Sequence, residues 1–129
     1  MDVCVFVYGT LRKGEVNHHF LEDAEFCGFY DLEGYEMFNV GAFPFAVPGE
    51  GRIKGEVYEC DPATLATLDL LEGYYDPYNR VNLFNRMEVP RFSTREGKPC
   101  LIYLWGGDLS RSDKLIESGD WIDYAKTHQ

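Results

Sequence analysis

An unbroken apolar run close to the start of the chain constrains the fold more than any other feature of the sequence. It extends from Val3 to Tyr8 and is rich in β-branched side chains. An apolar run without alternation is typical of a strand that is covered on both faces, so we expect it at the centre of a sheet. The strand ends at Gly9, where a glycine marks a turn.

Several further strands are predicted between glycine- and proline-rich turns. Two prolines, Pro44 and Pro48, exclude a regular central strand from residues 41–49, so this apolar segment is expected at a sheet edge or beside a cavity. A turn is predicted over Ser93 to Gly97. The predicted strands cover Glu25 to Tyr30, Tyr35 to Val40, Ile53 to Glu59, Tyr78 to Val89 and Pro99 to Trp105. Gly28 and Gly34 are interpreted as boundaries of the first two.

Helices are fewer than strands. Asp61 is a suitable N-cap, Pro62 suits the first helical position, and Gly73 ends a helix over 63–72. A short helix is predicted between Asn17 and Ala24. The tail from Asp113 to Lys126 has helical spacing around its apolar residues Leu115, Ile116, Trp121 and Ile122.

The order of these elements predicts an α+β fold. One long helix cannot supply regular βαβ crossovers, so the strands are expected to form a mixed sheet, curled into a barrel, with a few flanking helices. The 129 residues suit one domain around one core, spanning 1–129.

The charge and composition of the chain limit the classes of molecule that it is expected to bind. Twenty-two acidic residues against twelve basic ones give a net charge of −10, a field that repels nucleic acid and anionic membranes. No basic leader precedes the first strand, and its apolar run is too short to span a bilayer. We therefore expect a cytoplasmic protein that binds a small molecule, with no nucleic acid or membrane partner and an oligomeric state that the sequence leaves open.

The cysteines and histidines indicate neither a disulfide framework nor a metal site. The four cysteines are far apart and form no Cys-x-x-Cys pair, which indicates reduced, mostly packed thiols. The histidines lack the spacing that places two imidazoles on one helical face. A Cys4 or Cys27 nucleophile with His18 as base is conceivable, but no local motif supports it.

The turn after the first strand is a candidate binding site. Tyr8, Gly9, Thr10 and Leu11, followed by Gly14, can present main-chain N–H groups to an anion such as a carboxylate, because glycine tolerates the dihedral angles required. The alternative is an ordinary turn after a buried strand.

Glu72 is a candidate catalytic acid. On a helical period it shares one face with Leu65, Leu68 and Leu71, where burial without a cation would raise the pKa of its carboxyl. The alternative is that Glu72, in the last turn, points to solvent or pairs with Arg80. Asp69 lies off this face and is expected to be solvated.

The segment after Gly73 clusters phenols with one guanidinium. Tyr78 and Arg80 lie close in sequence to Glu72 and are suited to lining a polar pocket. Packing at the start of a strand is the alternative explanation for each tyrosine.

Together these features resemble the gamma-glutamylcyclotransferase-like family, including its AIG2-like branches. The resemblance covers nearly the whole chain and rests on segments in a fixed order, with a tail at 116–121 similar to that of small bacterial members. The segments are 6–12, Phe43-Pro44 with Val47-Pro48-Gly49, Gly55-Glu56-Val57-Tyr58, and Leu68-Asp69-x-x-Glu72-Gly73 followed by Tyr78-x-Arg80.

The resemblance implies a mixed β-barrel with flanking helices and an enzyme that releases 5-oxoproline from gamma-glutamyl compounds. It places Glu72 at the position of the catalytic glutamate and the turn from Tyr8 to Leu11 on the glutamyl group. Tyr78, Arg80 and Tyr103 complete the expected substrate-binding residues. The substrate's own amine is the nucleophile, so neither a metal nor an organic cofactor is expected.

Two other functions remain open at this point. Some small bacterial relatives lack the acid, so a non-catalytic module that binds a small molecule in the same pocket is an alternative. An amidase that passes the gamma-glutamyl group to water is another. The sequence does not identify the leaving group, because the side chains that select it cannot be placed.

Overall fold

The structure is a computed structural model that describes residues 2–39, 41–76, 82–93, 98–107 and 114–127. Six strands and two α-helices are found in this part of the chain, with one turn of 3₁₀ helix at His18–Leu21. The elements are β1 Val3–Val7, β2 Glu25–Asn39, β3 Pro44–Cys60, α1 Pro62–Glu72, β4 Phe84–Ser93, β5 Pro99–Trp105, β6 Lys114–Leu115 and α2 Trp121–Thr127.

The strands form one mixed sheet that curls into a half-barrel, in the order β4-β5-β1-β3-β2-β6. β1 pairs antiparallel with β3 and parallel with β5. Its side chains alternate between the two faces: Cys4 and Phe6 join one core cluster, and Val5 and Val7 join the other. The predictions of an α+β fold and of a central, doubly covered first strand are therefore confirmed.

β2 is one continuous strand where two were predicted. Gly28 and Gly34, which we interpreted as boundaries, lie at two irregularities in the pairing with β3 and have φ angles of 123° and 95°. These are left-handed conformations that glycine adopts readily. The strand bends at these bulges and continues.

The proline-containing segment forms the first part of β3, and its expected position at a sheet edge is confirmed. Pro44 and Pro48 lie opposite Asn39 and Tyr35 of β2. The pairing of β3 with β1 runs only from Glu56 to Cys60. Around the prolines, β3 therefore has a strand partner on one side only, where a missing N–H is tolerated.

The predicted helix over 63–72 is confirmed with its caps. The side chain of Asp61 accepts a hydrogen bond from the Thr64 N–H at 2.7 Å. Pro62 is the first residue of α1, and Gly73 ends it with a φ of 69°. This is the geometry expected of an N-cap carboxylate and a C-terminal glycine.

The other elements depart from the predictions in part. The helix expected between Asn17 and Ala24 is only the single 3₁₀ turn. β4 begins at Phe84, six residues after the predicted start at 78. Residues 78–81 of the predicted strand and 94–97 of the predicted turn lie outside the described residues. β5 has the predicted bounds.

In the described part of the predicted C-terminal helix, the first half is a short strand followed by a turn. Leu115 belongs to β6, and the N–H of Ile116 donates to the Met37 carbonyl at 2.8 Å. Pairing with β2 thus overrides the helical spacing, and α2 begins only at Trp121.

All four cysteines are free thiols, and Cys4, Cys60 and Cys100 are buried. This agrees with the expected packing of mostly buried, reduced side chains. Among the described helices, none has the length and apolar character needed to cross a bilayer.

Candidate active site

A cavity of about 290 Å³ opens where the end of β1, the end of α1 and the starts of β3 and β4 meet. Its walls are mostly apolar and aromatic, with a few polar groups, as is usual for small-molecule sites. The described lining residues are Phe6, Val7, Tyr8, Gly9, Thr10, Leu11, Val16, Asn17, Ala42, Phe43, Pro44, Leu71, Glu72, Leu83, Phe84 and Tyr103.

The predicted site residues that the structure describes all line this cavity. They come from three distant parts of the chain: the turn after β1, the end of α1, and β5. They are Tyr8, Gly9, Thr10, Leu11, Glu72 and Tyr103. The two other predicted residues, Tyr78 and Arg80, lie outside the described residues.

The turn after β1 presents hydrogen-bond donors that no other described residue uses. Within the described chain, the main-chain N–H groups of Gly9, Thr10 and Leu11 donate no hydrogen bond. The Gly9 carbonyl, in contrast, accepts from the Arg12 N–H at 3.1 Å. Unpaired N–H groups at a cavity wall are suited to binding an anion.

Position 9 requires a glycine because there is no space for a side chain. Gly9 does not have a positive φ, so the dihedral freedom that we expected it to supply is not needed. A Cβ at this position would lie 2.7 Å from Cγ of Pro44, which also lines the cavity. The positive φ in this loop belongs to Gly14, at 84°.

Three hydrogen bonds hold the loop that follows the turn. The Asn17 N–H donates to the Thr10 carbonyl at 2.9 Å, and the Asn17 amide donates to Thr10 Oγ1 at 3.0 Å. His18 Nδ1 lies 2.9 Å from the Leu11 carbonyl. The main-chain oxygens thus point into the loop, and the N–H groups are left for the cavity.

A buried ion pair between Arg12 and Glu56 fixes the same loop. Arg12 Nε donates to Glu56 Oε2 at 2.7 Å, and Arg12 Nη1 donates to Asp120 at 3.0 Å. The other oxygen of Glu56 accepts from the Lys13 N–H at 2.9 Å and from the Tyr58 hydroxyl at 2.8 Å. Both oxygens of the Glu56 carboxylate are therefore hydrogen-bonded.

Sequence reasoning gave Arg12 and Glu56 no role, although both lie in the segments that carry the family resemblance. A signal was present: Glu56 is a charged residue among small and apolar ones in a strand. Buried charges are normally paired, which would have prompted a search for a cation near the turn.

Glu72 is the last residue of α1 and is half-buried in the cavity wall. Its carboxylate makes no hydrogen bond or ion pair with any other residue that the structure describes. Burial raises the pKa of this carboxyl from 4.5 to about 7, because desolvation disfavours the charged form. Near neutral pH the group is therefore poised to accept or donate a proton.

The predicted leucine face of α1 is correct only in part. Leu68 is fully buried and Leu65 is partly buried against the same core cluster. Leu71 is more than one third exposed, at the cavity opening. Glu72 therefore lies at the border between the core and the cavity.

Two tyrosines of the wall are held by hydrogen bonds. The Tyr8 hydroxyl donates to the Tyr103 carbonyl at 2.6 Å and accepts from the Ala46 N–H at 3.2 Å. The Tyr103 hydroxyl donates to Asp69 Oδ1 at 2.6 Å. Burial raises the pKa of both phenols, so they remain neutral and serve as fixed walls.

Asp69 is not solvated, contrary to our expectation. Its second oxygen accepts from Arg86 Nη1 at 2.5 Å, and the Arg86 guanidinium lies 4.9 Å from the centre of the Tyr74 ring. These partners are distant in sequence, which is why the helical period alone could not place Asp69. Its contacts position Tyr103.

The cysteine alternative has no geometric support. Cys4 and Cys27 do not line the cavity, and the ring nitrogen Nδ1 of His18 is engaged by a main-chain carbonyl. No cluster of three or more metal-ligating side chains occurs within the described ranges.

Comparison with known proteins identifies the family of this chain. A family model described as gamma-glutamyl cyclotransferase, AIG2-like, matches residues 5–123. The gamma-glutamylcyclotransferase family protein YtfP of Escherichia coli K12 is 37% identical over 122 residues, which cover 95% of this chain and 98% of that protein.

Two solved structures share the fold. The crystal structure of the uncharacterized protein PH0828 from Pyrococcus horikoshii has a TM-score of 0.76 at 34% identity, covering 98% of this chain and 95% of that one. The solution structure of ytfP from Escherichia coli has a TM-score of 0.70 at 36% identity, covering 97% and 99%. The chain belongs to the gamma-glutamyl cyclotransferase, AIG2-like family.

Proposed function

We propose that this protein is a cyclotransferase that releases 5-oxoproline from a gamma-glutamyl amine or gamma-glutamyl peptide, with Glu72 as general acid and base. Membership of the family supports an enzyme of the gamma-glutamylcyclotransferase kind. The observation that carries the specific proposal is that Glu72 and the unpaired N–H groups of the turn at Gly9 line the same cavity.

The turn binds the glutamyl end of the substrate. Its free N–H groups are donors for the substrate's α-carboxylate, which then needs no cation in the wall. Thr10 and Asn17 hold the loop in place through the hydrogen bonds described above. Binding in this position fixes the glutamyl chain for ring closure.

The reaction is an intramolecular acyl transfer. The carboxylate of Glu72 takes one proton from the substrate's α-ammonium, and the amine attacks the γ-carbonyl carbon to form a five-membered ring. When the tetrahedral intermediate collapses, the bond from carbon to the leaving nitrogen breaks and Glu72 returns a proton to that nitrogen. The products are 5-oxoproline and the free amine, which leaves as an ammonium ion after the ring nitrogen has lost its second proton.

Positioning and proton transfer together account for the chemistry. When the glutamyl chain is folded, the amine attacks a carbonyl of the same molecule. Such intramolecular reactions have a large effective concentration of the nucleophile. The raised pKa of Glu72 keeps both its protonation states accessible near neutral pH. The neutral tyrosines Tyr8 and Tyr103 have their hydroxyls engaged elsewhere and do not compete for the proton.

The test compares the wild type with Glu72→Gln on gamma-glutamyl amines, gamma-glutamyl dipeptides and glutathione, with 5-oxoproline measured by mass spectrometry. We expect the substitution to lower kcat by about 10²- to 10⁴-fold, the usual contribution of general acid–base catalysis. Calorimetry checks that the variant still binds the substrate.

Asp61→Asn is the matched control, because it changes the exposed N-cap carboxylate of the same helix, which lies outside the cavity lining and which asparagine replaces as an N-cap. Equal loss in both variants would contradict a proton-transfer role for Glu72. Saturable binding by the wild type with no product from any substrate would favour the non-catalytic binding module, and release of free glutamate would favour the amidase.

A further inference from the structure

The C-terminal part of the chain reaches back to the loop that follows β1. Trp121, the first residue of α2, donates from its indole Nε1 to Glu15 Oε1 at 2.8 Å. Its neighbour Asp120 accepts from Arg12 Nη1 at 3.0 Å. The partners are 106 and 108 positions apart in the sequence. Two adjacent residues of one segment therefore hold two residues of the loop.

This tail segment, residues 119–121, is attached to the sheet by contacts of its own. The Gly119 carbonyl accepts from the Lys54 N–H of β3 at 2.8 Å. Gly119 has a φ of 66°, and a Cβ there would collide with the Arg52 carbonyl. The Trp121 side chain is buried in the core cluster on one face of the sheet. The tail segment is therefore fixed without help from the loop.

The loop connects the tail segment to the turn whose N–H groups face the cavity. The Glu15 N–H donates to the Arg12 carbonyl at 3.0 Å, and the Arg12 N–H donates to the Gly9 carbonyl at 3.1 Å. These two main-chain bonds link Glu15 and Arg12 to the position of Gly9. Asp120 and Trp121 do not line the cavity, so they can act on a ligand only through this loop.

The contact between Trp121 and Glu15 is suited to holding the loop. A buried indole N–H normally has a hydrogen-bond partner, and here the partner is a half-buried carboxylate. A hydrogen bond to an ionised acceptor is about twice as strong as one between neutral groups. The ion pair of Arg12 with Glu56 holds one end of the loop, and Glu15 provides the second point of attachment.

We propose that the tail segment positions the turn at Gly9 for the carboxylate of the glutamyl group, with Trp121 and Asp120 as positioning residues. The inference rests on the proposed function, because it concerns the turn that binds the glutamyl end of the substrate. Donors that are fixed before a ligand arrives need no reorganisation to bind its charge. The tail segment therefore acts on substrate binding and not on proton transfer by Glu72.

A matched pair of variants at Glu15 tests this role. Glu15→Gln and Glu15→Leu both remove the charge, but only glutamine keeps an oxygen that accepts from Trp121. Glu15 lies outside the cavity lining. The probe is 5-oxoproline, which carries the α-carboxylate of the proposed substrate. An NMR titration follows the main-chain N–H signals of Gly9, Thr10 and Leu11.

We expect Glu15→Leu to raise the Kd for 5-oxoproline by about tenfold, since a hydrogen bond to a charged group contributes about that factor or more. Glu15→Gln should raise it by no more than about threefold, because the hydrogen bond remains and only its charge is lost. Equal weakening in the two variants would show that the charge of Glu15 matters and its bond to Trp121 does not, which contradicts the proposal.

A second pair of variants tests Trp121. Trp121→Phe removes the indole N–H and keeps an aromatic ring in the core, whereas Tyr124→Phe removes a hydroxyl of the same helix that accepts from the Asn39 amide at 3.1 Å. We expect Trp121→Phe to raise the Kd by about tenfold and Tyr124→Phe to leave it unchanged. The double variant of Glu15→Leu with Trp121→Phe should bind no more weakly than either single variant, because both remove one contact.

Kinetics separate positioning from proton transfer. In Glu15→Leu, KM for a gamma-glutamyl amine should rise by about tenfold, while the pH dependence of kcat/KM keeps its wild-type form. A change in that pH dependence, or a loss of kcat at constant KM, would contradict a role in binding.

Failure of this inference is distinguishable from failure of the proposed function. If the wild type binds 5-oxoproline but releases it from no substrate, the proposed reaction is wrong, and the Kd values of the variants still test the tail segment. Equal Kd values in the wild type, Glu15→Leu and Trp121→Phe would overturn the role of the tail segment and leave the reaction intact. If the signals of residues 9–11 do not respond in the wild type, the turn is not the carboxylate site and the inference is overturned.

Discussion

Two glutamates of this protein, one bonded to the loop after β1 and one in the cavity wall, differ in the contacts they make. Glu56, in β3, is 1% exposed and is bonded to Arg12, to the Lys13 N–H and to the Tyr58 hydroxyl. Glu72, at the end of α1, is half-buried and has no such partner among the described residues. The fold pairs the first acid with a cation and leaves the second one without a cation among the described residues.

The difference separates a structural use of a carboxylate, at Glu56, from the catalytic use that we propose for Glu72. A buried acid with a cation and further donors is a fixed element that shapes the loop above it. An acid that is desolvated without a cation has a raised pKa and can move a proton near neutral pH. Substitutions at the two glutamates should therefore change stability in opposite directions.

The largest effect is expected from Arg12→Met. It leaves the Glu56 carboxylate buried without its cation, and breaking one partner of a buried pair costs about 3–5 kcal/mol in the free energy of unfolding. Urea denaturation at pH 7 measures it. The double variant Arg12→Met with Glu56→Gln should recover most of the loss, and a loss below about 1 kcal/mol for the single variant would mean that the pair does not hold the loop.

Glu72→Gln should instead stabilise the fold at alkaline pH. Burial raises the pKa of Glu72 from 4.5 to about 7 in the folded protein, so the wild type loses stability as the pH rises from 4.5 through 7. The neutral glutamine avoids this loss. At 1.36 kcal/mol per unit of pKa, a rise from 4.5 to about 7 corresponds to roughly 3.4 kcal/mol. Because Glu72 is partly exposed, we expect the variant to be more stable at pH 8 by about 2 to 3 kcal/mol.

Denaturation of wild type and Glu72→Gln across pH 4 to 8 measures this difference, which should close toward pH 4. A variant that is less stable than the wild type at pH 8 would mean that Glu72 has a stabilising partner, and the contrast with Glu56 would fail.

A smaller effect is expected from Gly9→Ala, in the turn between the two regions. The added Cβ would meet Cγ of Pro44 at 2.7 Å, and overpacking of this kind costs about 1 to 3 kcal/mol. Thermal unfolding measures the loss of stability. Gly14→Ala is the contrasting variant, because Gly14 has open space around it and a φ of 84°. An alanine there is strained by its backbone conformation alone. Pro44→Ala should therefore restore the stability of Gly9→Ala and not that of Gly14→Ala.

Local signals predicted part of this molecule well. The helix over 63–72 follows from Asp61, Pro62 and Gly73, which determine the ends of a helix without reference to the rest of the chain. The central position of β1 follows from its apolar run, because only a strand covered on both faces tolerates such a run. The pairing of the Gly9 turn with Glu72 came from the helical period together with the family resemblance.

Long-range contacts explain what the sequence did not reveal. Asp69 was expected to be solvated because its partners, Tyr103 and Arg86, are far from it in the chain. The continuity of β2 through Gly28 depends on its pairing with β3, which stabilises a bulge where a boundary was predicted. Helical spacing around Leu115 gave way in the same manner to pairing with β2.

The most direct test of the central claim is the pH dependence of 5-oxoproline release, since kcat/KM reports the ionisation of groups in the free enzyme and substrate. If the carboxylate of Glu72 is the base, kcat/KM should rise with one proton lost around pH 7, the value set by burial of Glu72. The residual activity of Glu72→Gln should lack this step. A step near pH 4.5 in the wild type, or the same step near pH 7 in Glu72→Gln, would contradict the assignment of general acid–base catalysis to Glu72.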